Sequence, residues 1–300
     1  MSVTIDDIAR CAGNWSIEVT PAGATKIDSF AAVLNEGTTV NVTFLPSSDP
    51  LDTIATAKRL ADEGMNAVPH IAARSLHNKE QLDDLLKRMT QQANVREVLV
   101  IGGGVDQPVG EFESSMQILE TGILQKYGIS RIGVSGHPEG SPDISAQALA
   151  DAIGWKNEFA AREGLSLYIE TQFCFDAETV LNWERIIRGD GNKLPIRIGI
   201  PGPATIKTLF RFAQISGIGP SIRFVSKQAR NVTKLMTIQA PNLLLAGLAE
   251  GMAADPDCLL AHFHYYPFGG FAKTATYAEA VANGHVDVTE KGGFEIRQAS

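Results

Sequence analysis

The sequence is short of the features that mark specialised protein classes. Cysteine occurs three times in 300 residues, at Cys11, Cys174 and Cys258. That scattered, odd set offers neither a CxxC motif nor a disulfide framework, and it suits a reducing compartment. Positive charge is scarce as well: 26 Lys and Arg against 34 Asp and Glu leave a net charge of −8. The basic surface that nucleic acid requires is therefore not expected. No apolar run approaches the ~20 residues of a membrane span. The opening stretch MSVTIDDIARCAGNW has two acids and no apolar segment, so no signal peptide is expected. Low-complexity tracts and Pro/Ser-rich linkers are missing too. These absences predict an acidic, cytoplasmic chain forming one domain over residues 1–300.

What is present is an alternation. Short β-branched runs recur at 15–20, 39–44, 66–72, 97–102, 131–136, 167–172, 196–201 and 259–266. Amphipathic stretches such as DTIATAKRLADEG and KEQLDDLLKRMTQQ lie between them. The first seven runs start 24 to 36 residues apart, the spacing of βα units. Eight strands alternating with helices predict an α/β fold, a (βα)8 TIM barrel, with a doubly wound sheet as the rival. The interval 202–257 is too long for one helix. It predicts an extra one before the last strand, since 221–236 and 240–255 both read as helical.

In a barrel, active sites lie at the C-terminal ends of the strands. Those ends carry Thr43, His70, the loop GGGVDQP (102–108), SGHPEGSPD (135–143), Gln172, PGPAT (201–205) and HFHYYPFGG (262–270). The first strand raises a question of its own. Trp15, Ile17 and Val19 alternate with Ser16, Glu18 and Thr20, which puts a carboxylate in a strand interior. A buried carboxylate is costly unless it is paired or shifted in pKa, so Glu18 is read as facing a site. Gly102, Gly103 and Gly104 follow an apolar strand and free backbone N–H groups to cradle phosphate, or else form a flexible loop. The pattern is neither GxGxxG nor a Walker motif. Gln172 ends the sixth strand with an amide able to grip a heterocycle, while Asp176 reads as a helix cap. His262 and His264 share one strand face but lack a convincing third ligand. They are read as structural, and no catalytic metal is expected.

Together the strand ends resemble the methylenetetrahydrofolate reductase family over nearly the whole chain. SIEVTP is similar to the family's Ser-Phe-Glu-Phe-Phe-Pro-Pro, VNVTF to Val-Ser-Val-Thr-Tyr, and AVPHIAARS to Ala-Pro-His-Leu-Thr-Cys. GVSGHPEGSP resembles Ala-Tyr-Pro-Glu-x-His-Pro, ETQFCFD resembles Thr-Gln-Phe-Phe-Phe-Asp, and AHFHYYPFGG resembles Asp-Phe-His-Phe-Tyr-Thr-Leu-Asn-Arg. The Thr-Gln-Phe-x-Phe-Asp segment is the most specific.

The resemblance implies reduction of 5,10-methylenetetrahydrofolate to 5-methyltetrahydrofolate, with NAD(P)H as reductant and FAD as the bound carrier. Glu18 would be the acid that opens the folate ring, and Gln172 would hold the pterin edge or the nicotinamide. Thr43, His70, Gly102, Gly103, Gly104, His137, Glu139 and Lys156 would line the FAD site. Departures from the family pattern are specific. Its Leu-Arg-Gly-Asp loop reads Ile-Gly-Gly-Gly, so Gly102 replaces the arginine and the aspartate is lost at Gly104 or displaced to Asp106. Ser141 stands for a histidine, and Phe159 and Ala160 stand where Arg and Lys are expected. Gly270 replaces the arginine that meets the folate tail, with Lys273 as a substitute. Missing cations imply weakened FAD binding. A flavin-free, tetrahydrofolate-binding methyl or methylene transferase on the same barrel stays open, as does a non-catalytic folate binder. The expected partner is a small folate; a homo-oligomer is possible.

Overall fold

A computed structural model describes residues 3–46, 48–215, 236–290 and 292–297. Eight strands form where β-branched residues alternate: β1 (Ser16–Val19), β2 (Thr39–Val42), β3 (Asn66–Ala72), β4 (Glu97–Ile101), β5 (Arg131–Gly136), β6 (Ser166–Phe173), β7 (Ile196–Pro201) and β8 (Leu260–Tyr266). They are hydrogen-bonded in the order β1-β8-β7-β6-β5-β4-β3-β2, which closes a barrel. Sequence neighbours are neighbours in the sheet, so the doubly wound rival is excluded.

Side-chain caps set where the helices begin. Asp49 accepts from the Leu51 amide at 2.9 Å and opens Pro50–Asp62. Asn78 accepts from the Gln81 amide at 2.9 Å and opens Lys79–Ala93, which ends on Asn94 at φ 50°. Asp176 accepts from the Thr179 amide at 2.9 Å and opens Ala177–Gly189, the cap that the sequence predicts. Each such cap contributes about 1 kcal/mol and starts its helix just beyond a strand end.

Contacts divide the chain into two compact units, interleaved in sequence. The Glu18 unit comprises Ser16–Ser135 and Lys156–Ile169; the Gln172 unit comprises the described residues of Met1–Trp15, Gly136–Trp155 and Glu170–Ser300. In the Glu18 unit, β1 to β4 pair in parallel and the helix Pro50–Asp62 packs on Lys79–Ala93 and β3. In the Gln172 unit, the helix Ile5–Ala12 packs against Asn242–Ala254, Phe271–Ala282 and β8. Trp15 there meets Tyr265 edge-on, with ring centroids 6.0 Å apart.

The interval before β8 holds the helices Ile206–Ile215 and Asn242–Ala254, so an extra helix is present. The helical stretch expected at 221–236 lies, apart from Met236, outside the described residues. Two small antiparallel ribbons were not expected: Ala204–Thr205 with Ile238–Gln239, and Val286–Val288 with Phe294–Ile296. Strands of two or three residues are too short to register as a period. Among the described residues no helix is long and apolar enough to cross a membrane.

Candidate active site

In the Glu18 unit, Glu18 is the third residue of β1 and stands in register with Asn41 of β2. Ser16 and Asn41 are polar yet fully buried, as lumen positions are. The Thr43 amide donates to the Val19 carbonyl at 2.9 Å, carrying the β1–β2 ladder one residue past β2. That brings the Thr43 hydroxyl to 3.0 Å from Glu18 Oε2, to which it donates. Glu18 retains some exposed surface. Protein nevertheless crowds the carboxyl, and burial pushes it from the usual 4.5 up to about 7, against the opposing Thr43 bond. No cation is among the causes of the shift. A carboxyl of this kind carries its proton over a large part of the neutral range, which a general acid needs.

His70, on β3, is 8% exposed and borders a small apolar cavity with Phe44, Thr53, Leu76 and Met89. Burial lowers its imidazole to about 4, so the ring is neutral, and its Nε2 has no hydrogen-bond partner among the described residues. Beyond β3 the chain turns at Ala73–Ser75, and the Arg74 amide donates to the Gly102 carbonyl at 2.9 Å. The Arg74 guanidinium donates through Nη2 to the Asp106 carbonyl at 2.5 Å, while its Nε is buried without a partner among the described residues. Gly103 has φ +99°, a left-handed conformation that disfavours a side chain, and a Cβ there would lie 3.3 Å from that of Ala72. At Gly102 and Gly104 an added Cβ would meet nothing within 4 Å, so the loop backbone is open to approach. Lys156 is 4% exposed and donates to the Ser135 carbonyl on β5 at 3.2 Å. Burial lowers its pKa to about 8.

In the Gln172 unit, Gln172 is half-buried near the end of β6, and its Oε1 is buried with no partner among the described residues. Its backbone is tightly held. The Thr171 hydroxyl donates to the Gln172 carbonyl at 2.8 Å and accepts from the Gly199 amide at 2.9 Å. The Tyr266 hydroxyl donates to the Thr171 carbonyl at 2.9 Å. A Cβ at Gly199 would fall 2.4 Å from the Gln172 carbonyl oxygen, so only glycine fits. Beyond this clamp, Phe173 packs edge-on against Phe268 at 5.0 Å, and Phe268 stacks on Phe212 at 4.4 Å. Phe268 adopts φ 49°, uncommon for a bulky side chain. Lower on the strands, Arg197 Nη1 is 3.7 Å and His264 Nδ1 3.8 Å from Glu170 Oε2, all three side chains being buried.

The structure thus joins Glu18 to Thr43, and it joins the glycine loop to Asp106 through Arg74. His137 and Glu139 follow β5 in the other unit. Glu139 lies near enough to Cys174 to help burial raise that thiol. Asp106 and Lys273 are exposed, Lys273 in the first turn of Phe271–Ala282. Phe159 and Ala160 are buried core residues. The sequence reading missed Arg74 and the Thr171–Gly199–Tyr266 clamp. Arg74 stands four residues past His70 in AVPHIAARS, but its tie to the loop arises only from β3–β4 pairing.

The family model described as methylenetetrahydrofolate reductase matches residues 20–255. A 5,10-methylenetetrahydrofolate reductase from Pectobacterium carotovorum subsp. carotovorum is 26% identical over 155 residues, 52% of this chain and 50% of that protein. The match therefore spans about half the length of that curated relative. Among solved structures, an uncharacterized protein from Clostridium thermocellum that binds two copies of 5-methyl-5,6,7,8-tetrahydrofolic acid aligns with TM-score 0.54 and 15% identity. It covers 91% of this chain and 98% of that one. A family 18 chitinase from Crocus vernus aligns with TM-score 0.50 and 10% identity, covering 90% and 98%. At such identities these two likenesses concern the barrel alone.

Proposed function

The chain belongs to the methylenetetrahydrofolate reductase family, and on that premise we propose that it reduces 5,10-methylenetetrahydrofolate to 5-methyltetrahydrofolate, with NAD(P)H as reductant and FAD as carrier. The observation that carries this reading is Glu18, a lumen carboxyl whose pKa burial raises to about 7. It stands two residues before the segment matched by the family model, so its role is argued from its own surroundings. Protonated Glu18 donates to a ring nitrogen of the folate, and the five-membered ring opens to an electrophilic iminium. Thr43 holds the carboxyl by its Oε2. Gln172 offers Oε1 to an N–H of the pterin or nicotinamide. The folate bound by the Clostridium thermocellum protein agrees with this substrate class.

The residues present fit a flavin. The orphaned His70 Nε2 and Arg74 Nε, together with the open backbone at Gly102 and Gly104, leave polar groups and space that a dinucleotide would use. Thr43, His70 and the glycine loop would hold it from the Glu18 unit. When bound, the flavin supplies hydride acceptance and donation; the protein supplies the proton, the orientation and the exclusion of water.

The test is titration with FAD and with 5-methyltetrahydrofolate, followed by absorption near 450 nm, a property of the flavin chromophore, and by calorimetry. Both ligands are expected to bind, and the loaded protein to oxidise NAD(P)H in the presence of methylenetetrahydrofolate. Folate binding with no FAD binding at saturation would replace this reading with the flavin-free transferase.

A further inference from the structure

We propose that Arg74 is an anion ligand, and that Arg74, the Gly102–Gly104 backbone and Lys156 together bind a diphosphate, the linker of a dinucleotide. This deepens the proposed function, and only the choice of FAD as the dinucleotide rests on it.

Three strand ends stand side by side in the Glu18 unit. Ala72 of β3 is in register with Ile101 of β4, and Val100 of β4 with Val134 of β5. Arg74 follows the first, the three glycines follow the second, and Lys156 reaches Ser135 on the third. Each of the two cations donates to a backbone carbonyl, and neither pairs with a carboxylate among the described residues. This occurs in a chain with 34 acids against 26 bases, where counter-ions are plentiful. Lys156 is desolvated, and the half-exposed Arg74 keeps its Nε buried without a partner among the described residues. Donors so placed are unfavourable without an acceptor, and a ligand of negative charge supplies one. A diphosphate does so and also accepts hydrogen bonds from a glycine-freed backbone. Where the family resemblance implies an arginine this chain has Gly102, and the turn after β3 brings Arg74 to the same loop.

The competing role for Arg74 is a clamp on the loop. That clamp is largely main-chain: the Arg74 amide donates to Gly102, and the Val109 amide donates to the Arg74 carbonyl at 3.0 Å. Those bonds survive a change of side chain. Arg74→Gln therefore removes the charge and keeps the clamp.

Wild type, Arg74→Gln and Arg74→Lys are titrated calorimetrically with FAD, with riboflavin (which lacks phosphate) and with inorganic pyrophosphate at two salt concentrations. Wild type is expected to bind FAD and pyrophosphate. Arg74→Gln should weaken both by at least about tenfold and reduce their salt dependence, with Arg74→Lys intermediate. Riboflavin affinity and Tm should stay as in wild type. Pyrophosphate binding that is absent in wild type, or unchanged in Arg74→Gln, overturns the proposal. So does a parallel loss of Tm and riboflavin affinity, the mark of a clamp alone. Arg74-dependent pyrophosphate binding without FAD binding leaves the anion site standing and removes the flavin from the proposed function.

Discussion

Buried charge in the Gln172 unit is matched with charge. Glu170 lies between Arg197 and His264, and the almost fully buried Glu184 meets Arg188 Nε at 2.8 Å while accepting from the Leu259 amide at 3.1 Å. In the Glu18 unit the buried ionisable groups meet neutral ones. Glu18 has the Thr43 hydroxyl, Lys156 a carbonyl, and His70 Nε2 no partner among the described residues. The first arrangement leaves each group little to gain by taking a ligand. In the second, desolvation without a charged partner shifts the pKa values of Glu18, His70 and Lys156, a pattern that accompanies functional sites. The Gln172 unit holds the aromatic cluster of Phe173, Phe212 and Phe268 and the buried Gln172 Oε1, which has no partner among the described residues.

The sharpest way to break that contrast is Glu18→Gln. It keeps the shape and the bond from Thr43 but cannot deliver a proton. General acids contribute ~10²–10⁴-fold, so methylenetetrahydrofolate turnover should fall by that factor. Reduction of bound flavin by NAD(P)H should continue, because that half-reaction needs no proton on folate. Near-normal folate turnover in the variant would return Glu18 to a structural role.

The unmatched groups also predict how stability follows pH. Raised Glu18 binds more protons folded than unfolded between about 4.5 and 7. Its contribution is therefore fully present below 4.5 and is lost as pH rises through about 7. His70, lowered to about 4, behaves oppositely: its contribution is present above 6.5 and is lost as pH falls toward 4. Denaturation of Glu18→Gln should show a smaller stability loss between pH 5 and 8, and His70→Asn a smaller loss between pH 6.5 and 4, each on the order of 1–3 kcal/mol. Profiles parallel to wild type in both variants would mean that solvent reaches these groups freely.

A smaller effect is expected from Gln172→Leu. If Gln172 Oε1 accepts a ligand N–H as proposed, its loss should cost about 1–3 kcal/mol, or roughly 5- to 150-fold in affinity for 5-methyltetrahydrofolate. Stability should hold or rise, because the buried Oε1 has no protein partner to lose. Unchanged folate affinity would take Gln172 out of the binding surface.

What was legible in the sequence follows the same division. All eight strands were readable because a lumen-lining strand combines β-branched runs with a strict two-residue period. Glu18 stood out because a carboxylate breaks that pattern, and Gln172 because it sits in a specific motif; a local rule violated without local compensation is what makes a residue a site candidate. Arg74 was not readable, since its meaning depends on which loop lies across β3 from it. Gly199 is likewise an ordinary strand glycine until the Gln172 carbonyl is found 2.4 Å from where its Cβ would be. Contacts that cross strands leave no mark on spacing.

The smallest expected effect is none at all, on removing metal. His262 and His264 project to one side of β8, the alternation that barrel metal sites use. Their neighbours oppose a cation. His262 is in register with Arg197, and the Glu170 oxygen 3.8 Å from His264 is also 3.7 Å from the Arg197 guanidinium. A divalent ion there would displace or face a fixed positive charge in a poorly screened interior, where like charges repel strongly. Among the described residues no three His, Cys, Asp or Glu side chains are grouped to hold a metal. Dialysis against a chelator should therefore leave folate binding, turnover and Tm unchanged, and elemental analysis should find no stoichiometric zinc or iron. Stoichiometric metal lost together with activity would show that the Glu170–Arg197–His264 group rearranges to bind it. The contrast between matched and unmatched charge would then fail in the unit where it looks strongest.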